Sequence, residues 1–84
     1  MTRLAKLYAR VLNDPGASIT VREFERLLSA LGFTHQRTVG SHRLCTHSRV
    51  PRPFPVQAAG KDAKPYQVRQ LLAIVEQYEL GLTE

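Results

Sequence analysis

A single cysteine, Cys45, excludes any disulfide within the chain, which suits a reducing compartment. No apolar run approaches the roughly 18 residues that would span a bilayer. Met1 to Arg10 alternate apolar with basic positions and lack the compact apolar stretch of a secretory signal. These absences predict a soluble cytoplasmic protein with no membrane partner. Acidic residues are scarce as well: 7 Asp and Glu stand against 12 Lys and Arg, a formal net charge of +5. Such an imbalance favours a polyanionic partner (RNA, DNA or an acidic protein) without choosing among them. There is no internal repeat and no low-complexity segment. His35, His42, Cys45 and His47 show no structural-zinc spacing, so no metal site is expected. At 84 residues the chain fits one small domain, residues 1–84, whose thin core helices and a short sheet must share.

What the sequence does have is periodicity. Over residues 2–13, Leu4, Leu7, Tyr8, Val11 and Leu12 form an apolar stripe at helical spacing, with Arg3, Lys6 and Arg10 on another face. Asn13-Asp14-Pro15-Gly16 breaks that helix. Thr20-Val21-Arg22-Glu23 has the form of a capping box and opens a second helix with the stripe Val21, Phe24, Leu27, Leu28 and Leu31. Gly32 suits the left-handed residue that closes it.

Phe33–Val39 and His42–His47 read as the arms of a hairpin, with Gly40-Ser41 as a type II′ turn. In that register Val39 faces His42, Arg37 faces Leu44 and His35 faces Thr46. Arg43, Cys45 and His47 share the other face with Thr34, Gln36 and Thr38. Neither face is cleanly apolar, so the pattern leaves open which one packs on the helices. Residues 48–53 read as a loop. Phe54, Val56 and Ala58 then mark one face of a third strand, placed at an edge by Pro53 and Pro55. A loop from Ala59 to Lys64 precedes the last helix, Pro65 to Tyr78, with the stripe Val68, Leu71, Leu72, Val75 and Tyr78 and with Gly81 as terminator.

Three features together resemble the HicA family of toxin–antitoxin systems. They are the helix ending Leu31-Gly32-Phe33, the turn Gly40-Ser41-His42-Arg43 with His47 five positions on, and Gly60-Lys61-Asp62-Ala63-Lys64-Pro65 leading into the last helix. The likeness covers about residues 19–80 and leaves residues 1–16 as an extra N-terminal helix and turn. It implies an α+β fold of double-stranded-RNA-binding-domain type, α-β-β-β-α. It also implies the toxin of a type II system, a metal-independent endoribonuclease that cleaves mRNA, inhibits translation and needs no cofactor. A HicB-type antitoxin would neutralise it by covering the active site. The family's catalytic histidine directly follows Gly-Ser and so carries onto His42, with Gly40 and Ser41 as the supporting turn. Where the family often has a second histidine and, two residues further on, an aromatic, this chain has Arg43 and Cys45.

The chemistry suits the residue. RNA carries its own latent nucleophile, the 2′-OH. A base must take its proton, or an acid must protonate the leaving 5′-oxygen. Histidine, with an unperturbed pKa of about 6.5, can do either. The second proton-transfer group is left open among His47, His35 and water; His47 points to the opposite face and His35 lies several pairs away. Arg37 and Arg43 flank the turn and are candidates to hold phosphate. Lys61 and Lys64, before the last helix, resemble the lysine-rich segment with which double-stranded-RNA-binding domains grip the backbone. Arg49 and Arg52 are weaker candidates. Cys45 reads as a small packed hydrophobe. Two other functions fit the composition: a non-catalytic RNA-binding module of the same fold, and an interaction protein whose basic face meets an acidic partner. His42 at the turn separates the first reading from both.

Overall fold

The computed structural model describes residues 3–57 and 60–82. Along them run α1 (Arg3–Asn13), α2 (Val21–Ala30), β1 (Thr34–Val39), β2 (His42–His47), β3 (Val50–Gln57) and α3 (Pro65–Tyr78). From α2 onward this is the expected α-β-β-β-α order, with α1 in front of it. Thr2, Ala58 and Ala59, which the sequence reading included, lie outside the described residues.

The capping box at α2 forms as its residues predict. The Glu23 N–H donates to Thr20 Oγ1 at 3.0 Å, and the Thr20 N–H donates to Glu23 Oε1 at 2.9 Å. At the other end Gly32 turns left-handed, at φ +100°. Its N–H then reaches the Ser29 carbonyl at 3.1 Å and the Phe33 N–H reaches Leu28 at 2.9 Å, the paired bonds of a Schellman closure. Helix α3 ends differently from the sequence expectation. Its terminator is Glu79, at φ 53° and ψ 48°, and Gly81 has no left-handed role. Leu80 must fold back into the core, with its N–H on the Val75 carbonyl at 3.0 Å, so the reversal has to come right after Tyr78.

The sheet is antiparallel in the order β1-β2-β3. Gly40 sits at φ +60° with Ser41 outside the left-handed region, which matches the type II′ turn. The predicted register holds for Val39↔His42 and Arg37↔Leu44. A bulge between His35 and Arg37 then breaks it: His35 faces Cys45 and Thr34 faces Thr46. One extra residue moves His35 to the face opposite the one its alternation predicts. Strand β3 begins at Val50, so Pro51, Arg52 and Pro53 lie within the strand and not in a loop. It is an edge strand, as its prolines require. Its outer rim is closed by the side chain of Gln67, only 3% exposed, which accepts from the Gln57 N–H at 3.0 Å and donates to the Pro55 carbonyl. That amide imitates a neighbouring strand where proline forbids one.

Packing answers the question that alternation left open. Cys45, Phe54 and Val56 are buried, so their face of the sheet meets the helices. Phe24 of α2 stands edge-on to Phe54 at 6.0 Å, and Phe54 edge-on to Phe33 at 6.2 Å. Val68, Leu71 and Val75 of α3 join this cluster, as does Val11 of α1. Leu4, Leu7 and Tyr8 pack against it, whereas Leu12 points to solvent. The segment before α3 is stitched to the start of α2: the Val21 N–H donates to the Lys61 carbonyl and the Ala63 N–H to Ile19, both at 2.9 Å. Among the described residues no helix is long and apolar enough to cross a membrane.

Candidate active site on the open face of the sheet

His42 is the first residue of β2 and directly follows the Gly40-Ser41 turn. Directly opposed strand residues share a face, and faces alternate along a strand. His42 therefore shares the face away from the helices with Val39 and Arg37 on β1, Leu44 on β2, and Gln57 and Pro55 on β3. It is half-buried, and within the described residues its ring nitrogens have no hydrogen-bond partner. A free imidazole on an open face is available to a substrate.

The other two histidines are engaged elsewhere. His47 packs its ring edge-on against Phe33, centroids 5.1 Å apart, on the helix side. Its Nε2–H donates to the Leu31 carbonyl at 3.0 Å, and its Nδ1 accepts from the Arg49 N–H at 3.0 Å. Only the neutral ring protonated at Nε2 satisfies both bonds. His35 meets Thr38 Oγ1 at 3.0 Å. Because of the bulge it also stands on the helix-side face, so neither histidine shares a face with His42.

The cations divide into two groups. Arg37 is exposed on the face of His42, one diagonal step from it. Arg43 projects to the helix side and pairs with Glu25 of α2, the one ion pair among the described residues. Its side chain stays 46% exposed. A pair this open contributes no more than about 1 kcal/mol, so a phosphate can compete for the guanidinium. Arg43, Lys61, Arg22 and Glu25 line one groove beside the start of α2. The Thr20 and Glu23 N–H groups are spent in the capping box and the Val21 N–H on the Lys61 carbonyl, so attraction for an anion rests mainly on the three cationic side chains. Lys64 is exposed at the N-cap of α3, which has no side-chain cap. Gly40 and Ser41 are exposed at the hairpin tip, and Arg49 lies between β2 and β3 with its guanidinium on the Glu79 carbonyl at 3.4 Å.

The fold thus brings Arg37 to His42, and Arg43 to Lys61, in two zones at one end of the sheet. Sequence reasoning missed Arg22 and Glu25, which lie on the polar side of α2, and Gln57, which falls at the end of β3. The groove singles out Arg22, the ion pair Glu25, and the strand pairing Gln57. Cys45 is buried, and that burial, helped by Glu25 and opposed by Arg43, pushes its thiol up from 9.0, away from thiolate chemistry. Among the described residues no three His, Cys, Asp or Glu side chains are grouped to hold a metal ion.

A family model described as the HicA toxin of bacterial toxin–antitoxin systems matches residues 21–77, from the first residue of α2 to near the end of α3. No curated protein and no solved structure matches the chain.

Proposed function

The chain belongs to the HicA family of toxins of bacterial toxin–antitoxin systems, and on that premise we propose that it is a cytoplasmic endoribonuclease that cleaves mRNA, with His42 as the catalytic residue. The observation that carries this reading is a histidine directly after Gly-Ser, at the mouth of a tight turn, on the sheet face away from the helices and, among the described residues, with no partner on its ring nitrogens. The 2′-OH of the bound RNA attacks the adjacent phosphorus. A 2′-O–P bond forms, the P–O5′ bond breaks, the 2′ proton passes to a base and the departing 5′-oxygen receives a proton. His42 serves one of those two transfers. Its partner stays unassigned, since His47 and His35 face the other way.

Arg37 is the cation best disposed to the reacting phosphate. Arg43, Lys61 and Lys64 grip the flanking backbone. The step needs neither metal nor cofactor. Neutralisation falls to a HicB-type antitoxin covering the open face, where an acidic segment would meet Arg37 and His42.

Induction of wild type and His42→Ala in cells lacking the antitoxin tests the proposal, beside digests of chelator-treated RNA by the purified proteins. Wild type arrests growth and cuts RNA; His42→Ala does neither. Equal toxicity of the two would overturn the assignment. A wild-type protein that binds RNA with steep salt dependence yet leaves it intact would instead make the chain a non-catalytic binding module, which its basic groove also fits.

A further inference from the structure

Resting on the reading of His42 above, we propose that Gln57 is a substrate-positioning residue of the same site, its side-chain amide donating to a non-bridging oxygen of the scissile phosphate. Pro55 sets the register of the β3 edge. It has no N–H, so Leu44↔Pro55 is a non-hydrogen-bonded pair of the antiparallel ladder. Pairs alternate in kind, so His42↔Gln57, two residues along, is another. The Gln57 N–H agrees: it points out of the ladder, to Gln67 Oε1 at 3.0 Å. In such pairs the Cα atoms approach to about 4.5 Å and the side chains are at their closest. Gln57 is therefore the β3 side chain nearest the imidazole.

The chemistry of the face narrows the role. Among the described strand residues within two positions of His42 on this face, Val39, Leu44 and Pro55 have apolar side chains and Arg37 and Gln57 alone can bond a phosphate; the hydroxyls of Thr46 and its partner Thr34 lie a further step along the sheet. Arg37 on β1 and Gln57 on β3 lie on opposite sides of β2, so a phosphate over His42 meets a donor from each flank. Gln57 is also held in place from behind. Gln67 buries its amide to bond the backbone on both sides of Val56, through the Pro55 carbonyl and the Gln57 N–H. Burying a polar side chain is costly unless it is fully bonded, and here it fixes the strand end that presents Gln57.

Because Gln67 holds the Gln57 backbone, side-chain variants at 57 leave that bond intact. The test uses the full chain with Gln57→Met, which keeps the length without a donor, and Gln57→Glu, which adds a charge facing the phosphate. Single-turnover cleavage of a mixed-sequence RNA oligonucleotide at saturating protein is compared with binding of its uncleavable 2′-O-methyl counterpart and with the melting temperature. Gln57→Met is expected to slow cleavage roughly tenfold or more, with binding and melting nearly unchanged; Gln57→Glu is expected to be slower still. Cleavage by Gln57→Met within twofold of wild type overturns the proposal. So does a Gln57→Glu protein as fast as wild type, which would mean the group serves the imidazole as an acceptor. A Gln57→Met loss matched by a fall in melting temperature overturns it too, in favour of a structural role. His42→Ala is run alongside. If it cuts like wild type, the reading of His42 fails; if it is dead while Gln57→Met is normal, only the role of Gln57 fails.

Discussion

Strand β2 carries a histidine at each end, and the two ends of the strand are built on opposite principles. At the His47 end every polar atom of the ring is engaged, Phe33 packs on it, and Gly32 clears space for it: a Cβ at Gly32 would come to 2.8 Å from Nε2. At the His42 end the ring has no partner among the described residues, the turn beside it is exposed, and nothing lies within 4 Å of where a Gly40 Cβ would be. One end latches α2 to the sheet; the other is left for a ligand. Residue type alone does not distinguish them. What the ring nitrogens already bond does.

The sharpest way to break this contrast is to exchange the consequences of mutation. His42→Ala should reduce RNA cleavage by about 10²–10⁴-fold, the range of a lost general acid or base, while a urea or thermal melt barely moves. Activity that survives, or a large loss of stability, would erase the difference between the ends. Gly32→Ala should destabilise by roughly 2–4 kcal/mol, combining a left-handed backbone with the collision against His47. That cost should shrink when His47 is also alanine, because the small side chain makes room. Simple additivity in a double-mutant cycle would show that the two residues do not share a site.

His47→Ala by itself should cost roughly 1–3 kcal/mol by orphaning the Leu31 carbonyl and the Arg49 N–H, yet leave cleavage per folded molecule unchanged. A smaller effect tests the neighbouring helix end, where Arg49 meets the Glu79 carbonyl. Glu79→Gly should raise stability by about 1 kcal/mol, since glycine adopts φ 53° without strain and the carbonyl contact is kept. The smallest effect is alkaline. Burial raises the Cys45 thiol above 9.0, so the unfolded chain loses that proton first. The contribution is complete below about pH 9 and fades as pH rises beyond it. Denaturant titrations from pH 8 upward should show a downward slope that Cys45→Ala flattens.

Much of the fold was legible residue by residue. Thr20 and Glu23, Leu31-Gly32-Phe33 and Gly40-Ser41 each encode their geometry within a few positions, because capping, helix closure and a two-residue turn are local events. The apolar stripes of α2 and α3 also read correctly. The errors came where a distant partner decides. The bulge at Gln36 that turned His35 away, the early start of β3, the left-handed Glu79 and the exposure of Leu12 all follow from what the rest of the chain packs against. The site divides in the same way. The place of His42 at the turn was readable, and so was the opposition of His47. The pairing of Arg43 with Glu25, the groove it forms with Lys61, and Gln57 across from His42 were not, because they join residues far apart in the chain.

The sequence by itself determined the order of elements, the caps and turns, the basic charge and the histidine after Gly-Ser, since each depends on bonds or periodicities spanning a few residues. Tertiary structure alone decided which sheet face is covered. Arg37, Leu44, Arg43 and Cys45 alternate without a clean apolar side, and only Phe24, Phe33 and Phe54 closing over Cys45 bury one face. That choice leaves His42 on the open face and sets His47 against Phe33 and the end of α2.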